Sequence, residues 1–116
     1  MAVKLSDNNI FITFAIKKNI YDKFENLVQK TSMSPSQYVR MRVVSSLDNK
    51  NIHFYKTCAD YSGDSRMVHF RISKEVRDDF QEICKINEKS ISEVIRSWIY
   101  ECVEFDALFP NKWTWH

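Results

Sequence analysis

The chain has 116 residues, 44% of them apolar and 28% charged, with a formal net charge of +2; that is the length of one domain and a composition that folds. One glycine, Gly63, and two prolines, Pro35 and Pro110, are too few for the turns of an all-β barrel or sandwich and exclude a glycine-rich phosphate loop. No apolar run approaches the ~20 residues of a membrane span, and Met1–Asp7 has no apolar signal-peptide core, so a soluble, cytoplasmic protein with no membrane partner is expected.

The charge is unevenly placed. Residues 1–47 carry net +4, whereas 48–65 and 66–116 each carry net −1, a distribution compatible with a polyanionic partner for the first part. Cys58, Cys84 and Cys102 are an odd set without C-x-x-C spacing, and His53, His69 and His116 are scattered. Reduced, buried thiols are therefore expected, with no metal and no cofactor.

The first element is an alternating stretch, Ile10 to Ile16, whose period of two predicts a strand. Ile10, Ile12, Phe14 and Ile16 face inward, leaving Phe11, Thr13 and Ala15 outward. A helix follows with Ile20, Phe24, Leu27 and Val28 on its apolar face; Lys17 is a poor N-cap for it. Ser34-Pro35-Ser36-Gln37 then fits the S-x-x-[QE] capping box, with proline at the first helical position. The helix it opens buries Val39, Val43 and Leu47. Residues 48–65 read as a linker whose apolar Ile52, Phe54 and Tyr55 place part of it on the surface of the fold.

From Arg66 onward the chain repeats itself. A shift of 56 residues aligns 10–47 with 66–103 without a gap, matching Phe14/Phe70, Ile16/Ile72, Lys18/Lys74, Asp22/Asp78, Phe24/Phe80, Ser34/Ser90, Ser36/Ser92 and Arg40/Arg96. Apolar positions keep step: Ile12/Val68, Ile20/Val76, Leu27/Ile83, Val39/Ile95, Val43/Ile99 and Leu47/Val103. The second strand buries Val68, Phe70 and Ile72 and turns Met67, His69 and Arg71 outward. Ser73 caps a helix burying Val76, Phe80, Ile83 and Cys84. Ser90-Ile91-Ser92-Glu93 is a second capping box, opening a helix that buries Ile95, Trp98, Ile99 and Val103. A lone strand leaves its backbone groups unpaired, so the two strands are expected to pair antiparallel.

Two residue sets resemble the ribbon-helix-helix (MetJ/Arc) superfamily of DNA-binding proteins: Val68 to Val76 with Lys89 to Arg96, and their counterparts Ile12 to Ile16 with Met33 to Arg40. The duplication within one chain is similar to TraY-like conjugative relaxosome accessory proteins. The resemblance implies an α+β, mostly α fold. Repeat 1 spans 1–47, the linker 48–65, repeat 2 spans 66–104 and an aromatic tail 105–116, the repeats forming an intramolecular pseudo-dimer around a two-stranded ribbon. It implies a sequence-preferring binder of double-stranded DNA, as a plasmid or mobile-element relaxosome factor or a transcriptional regulator, with side-by-side self-association on DNA.

A two-stranded ribbon fits the major groove, so Phe11, Thr13, Ala15, Met67, His69 and Arg71 are the candidate base-contacting residues. Arg71 to guanine would give ~1–3 kcal/mol of discrimination, while Phe11, Ala15 and Met67 can only pack, for instance on thymine methyls. Ser34, Ser36, Ser90 and Ser92 at helix N-termini are candidate phosphate clamps, with Lys17, Lys18 and Lys74 reaching flanking phosphates. The same S-x-x-[QE] boxes are also common stability devices. Arg40 and Arg96 match each other, pointing into a shared surface or onto a carboxylate.

In the tail, Trp113 and Trp115 are either part of a flap folded over the helices or anchors for a relaxase or other protein. No paired carboxylates, nucleophile elbow or metal cluster occurs, so no enzyme is expected. The competing reading is a protein-interaction module, antitoxin-like or an adaptor, using the apolar ribbon and aromatic tail instead of DNA.

Overall fold

Alternation sets the strands. A computed structural model describes residues 9–56 and 63–109, in the order β1 (Asn9–Lys17), α1 (Lys18–Gln29), α2 (Pro35–Asn49), β2 (Ser65–Ser73), α3 (Lys74–Ile86) and α4 (Ile91–Phe105). The fold is α+β and mostly helical. β1 and β2 form one two-stranded antiparallel sheet, in register from Asn9 opposite Ser73 to Lys17 opposite Ser65. Ile12, Phe14, Ile16, Val68, Phe70 and Ile72 are buried against the helices. The Lys18 N–H donates to the Asp64 carbonyl at 2.8 Å, which holds the returning chain against the start of α1.

The helices cross-pack: α1 lies on α4, and α2 on α3. α1 buries Tyr21, Phe24 and Val28. The expected stripe differs at three positions: Ile20 and Leu27 are only partly buried, and Tyr21 takes an inward position. Its ring sits 5.8 Å from Phe24 and 6.5 Å from Phe70, beneath the Arg66 guanidinium at 4.8 Å. α3 buries Phe80 and Cys84. Cys84 and Cys102 are free, and burial pushes the Cys84 thiol up to about 12 and raises that of Cys102, so neither is a ready thiolate. Cys58 lies outside the described residues.

α2 and α4 meet around a polar centre that the apolar patterning does not foretell. Arg42 is fully buried, its guanidinium 4.7 Å from the Trp98 ring and its Nη1 donating to the Tyr38 hydroxyl at 3.2 Å. The Tyr38 hydroxyl in turn donates to the Leu108 carbonyl and lies 3.1 Å from Cys102 Sγ. A buried cation persists only where such partners replace its water.

Among the described residues, four other than glycine have positive φ: Ser32 and Glu88 in the turns between helices, Lys50 and Asp106 at the C-caps of α2 and α4. Each pair is 56 positions apart. Helix ends of this kind usually recruit glycine, and the chain makes them without it.

Part of the expected linker, residues 51–56, lies against the fold and is pinned to α4. Ile52 joins the core, and Trp98 Nε1 donates to the His53 carbonyl at 2.7 Å. His53 Nε2 lies 2.8 and 3.0 Å from the two oxygens of Glu101, a carboxylate only 1% exposed. A buried carboxylate needs such a partner, so the contact is a requirement of Glu101 that apolar patterning cannot express. Lys56 pairs with Glu104 at 2.7 Å. Past α4, Leu108 is buried as well; Phe105, expected to begin the tail, is the last residue of the helix.

Candidate nucleic-acid interface

The outward face of the sheet is built by β1 and β2 alternating against the core. Three pairs stand opposite one another on it: Phe11 with Arg71, Thr13 with His69, and Ala15 with Met67. Phe11 and Met67 are 63% and 54% exposed; Thr13, His69 and Arg71 are exposed and Ala15 is half-buried. The structure therefore brings all six candidate base-contacting residues onto one surface. From the first pair to the last is four residues, about 14 Å, the length of about four base-pair steps.

The polar members are tied to their neighbours. Thr13 Oγ1 and His69 Nδ1 are 3.1 Å apart, and the Phe11 ring meets His69 edge-on at 6.4 Å between centroids. Asn9, one residue before the alternating run, was not among the sequence candidates. Its side-chain oxygen accepts from Arg71 Nε at 3.2 Å and Nη2 at 3.1 Å; the opposite amide orientation would set donors against donors.

Each end of the sheet is joined to a helix by an arginine. Arg40 of α2 donates from Nη1 to the Arg71 carbonyl at 3.2 Å, and Arg96 of α4 donates from Nε to the Ala15 carbonyl at 2.9 Å. The Arg96 guanidinium also lies 5.3 Å from the Phe14 ring. Donors and acceptors are both 56 positions apart. Neither arginine points onto a carboxylate in these bonds; each anchors a helix to the backbone of an outward-facing strand residue. Each anchor is two turns or less from the helix start, within about 9 Å along the axis, which keeps the N-terminus of the helix beside the sheet.

At those N-termini both capping boxes are closed. Ser34 Oγ accepts from the Gln37 N–H at 3.2 Å while Gln37 Oε1 accepts from the Ser34 N–H at 2.8 Å. Ser90 and Glu93 make the same exchange at 3.1 and 2.9 Å. The boxes thus use donors that a phosphate would otherwise take. The second-position N–H of Ser36 or Ser92 is left at each end, with the Ile91 N–H at α4 and the hydroxyl hydrogens of Ser34 and Ser90. The two ends differ in charge. The Ser90 N–H holds the Glu93 carboxyl below the usual carboxylate range, so an anion already occupies the start of α4; the neutral Gln37 stands in its place at α2.

Lys18 and Lys74 are exposed and pair with Asp22 and Asp78 one turn on, at 2.9 and 2.7 Å. Exposed pairs of this kind are weak and exchange readily for another anion. Lys17, half-buried, ends β1 and precedes α1 with no side-chain cap. Trp113 and Trp115 lie outside the described residues.

Among the described residues, no helix is long and apolar enough to cross a membrane, and no group of three or more His, Cys, Asp or Glu is placed to hold a metal ion. Comparison with family models, curated proteins and solved structures finds no match to this chain.

Proposed function

We propose that the chain is two ribbon-helix-helix repeats in one polypeptide, a pseudo-dimer that sets β1 and β2 in the major groove of double-stranded DNA. The repeats meet at an approximate two-fold axis between Thr13 and His69. Several pairs of features 56 residues apart support this: the Arg40 and Arg96 anchors, the capping boxes and the left-handed residues. The observation that carries the DNA reading is the outward six-residue face, five of its residues exposed, flanked by two helix N-termini, each anchored beside it. The sheet supplies base contacts, and the helix starts, with Lys17, Lys18 and Lys74, supply phosphate contacts that fix register. The role that fits such binding is a plasmid or mobile-element relaxosome accessory factor or a transcriptional regulator.

The test is duplex binding by fluorescence anisotropy across a salt series. With about four phosphates contacted, log K is expected to fall against log salt with a slope of about −3 to −4. A flat salt response with no preference among sequences selected from a random library would sink the proposal. The exposed Phe11 and Met67 side chains favour a second reading, an apolar contact with another protein. A flat response accompanied by capture of a protein partner through this face would select it.

A further inference from the structure

The two ends of the ribbon are chemically unlike, and one holds a preoriented arginine. With the Asn9 oxygen on the Nε–Nη2 edge of Arg71, the guanidinium keeps its Nη1–Nη2 edge, two parallel N–H donors, for another planar pair of acceptors. In the major groove that pair is O6 and N7 of guanine. Among the described residues Arg71 makes no other side-chain hydrogen bond, and it stands exposed beside Phe11.

At the other end, Ser65 and Ala15 occupy the positions equivalent to Asn9 and Arg71. Ala15 faces Met67, and neither side chain carries a hydrogen-bond donor; the feature of a base edge that suits them is the thymine methyl.

We infer that Asn9 is a positioning residue for Arg71, and that the chain binds DNA in one fixed direction. The Asn9–Arg71 end then lies over a guanine, and the Ala15–Met67 end lies over thymines about four base pairs away. This rests on the DNA reading proposed above. Holding the long Arg71 side chain in place before binding reduces the ordering cost at the contact, so Asn9 acts on the guanine preference without touching DNA itself.

The experiment selects duplexes with the full chain from a random library, then compares wild type, Arg71→Ala, Asn9→Ala and Asn9→Asp on the selected site. Thermal unfolding is measured alongside. Arg71→Ala is expected to reduce the preference for guanine at one position by roughly 5- to 150-fold. Asn9→Ala reduces the same preference by about 2- to 12-fold, and Asn9→Asp, which keeps the acceptor, retains it. Salt slopes and unfolding temperatures stay near wild type, since Arg71 is exposed and contacts a base rather than a phosphate, and Asn9, half-buried at the end of β1, contacts Arg71. Replacing thymine by uracil on the far side of the site weakens binding about fourfold per methyl, more than on the guanine side, where Phe11 is the apolar residue of its pair.

A steep salt slope with a guanine preference indifferent to Asn9→Ala removes the positioning role. Uracil substitution acting equally on both sides removes the fixed direction. Both results leave DNA binding standing. Absence of salt-dependent enrichment by wild type removes the inference together with the reading beneath it.

Discussion

Glu93 and Gln37 occupy the same third position in two helix caps and differ by one charge. The hydrogen bond from the Ser90 N–H lowers the Glu93 carboxyl from its ordinary 4.5. A carboxyl lowered in the folded state contributes stability in full above its unfolded value and loses it as pH falls through the folded one. Glu93→Gln keeps the box but not the charge at the positive end of α4. It is expected to cost about 0.3–1 kcal/mol at pH 7. The gap from wild type should close as pH falls below about 4.5. Asp78 and Glu104 are also lowered, by Lys74 and Lys56 respectively, so both proteins lose stability in acid and the difference curve is the readout. The same change takes an anion from beside a proposed phosphate contact, so duplex affinity should rise while stability falls. Urea unfolding from pH 3 to 7, with anisotropy at pH 7, checks both signs; a stability gap unchanged across that range would contradict the assignment.

At the scale of elements, the strands and the helix starts are legible because they depend on local rules. A period of two separates Phe11, Thr13 and Ala15 from Ile12, Phe14 and Ile16, and a serine three residues before Gln or Glu marks each cap. What periodicity cannot show is a polar side chain buried because of a distant partner. Arg42 needs Trp98, Glu101 needs His53, and Tyr38 needs the Leu108 carbonyl. Asn9 escapes for a related reason: its meaning comes from Arg71, which lies far off in sequence and close by only once the strands pair. The matching arginines are visible in the sequence, but their acceptors are backbone carbonyls, which have no sequence signature. The anchors should be unequal. Arg96 makes the shorter bond and lies over Phe14, while Arg40 makes a 3.2 Å bond at the surface. Arg96→Ala is expected to cost about 1.5–3 kcal/mol and Arg40→Ala about 1 kcal/mol or less. Both should weaken duplex binding beyond that cost, because the helix start is no longer held to the ribbon. Equal losses of stability in the two variants would show that the anchors do not differ in this way.

At the scale of the whole molecule, the contacts run between the halves of the chain more than within them. Among the described residues β1 has no strand partner but β2, α1 lies on α4, and α2 on α3. Neither half can then bury its apolar face alone, and a two-stranded ribbon needs both. At the centre, positions 42 and 98 are equivalent under the 56-residue shift and touch each other, as a guanidinium on an indole. Two copies of the first half would bring two buried arginines together with no indole to receive them. Two copies of the second would bring together two indoles where one indole and one guanidinium now fit. Like-charge burial and overpacking each cost several kcal/mol, so the halves should prefer each other to themselves. Peptides 1–56 and 63–116, each alone, are therefore expected to show little helix by circular dichroism. Mixed in equal amounts they should recover the helical signal, with a midpoint of unfolding that rises with concentration, as association requires. Arg42→Trp in the first peptide would remove the complementarity and with it the preference for mixing. If peptide 1–56 folds as well by itself as in the mixture, the central Arg42–Trp98 contact is not what makes one chain carry both halves.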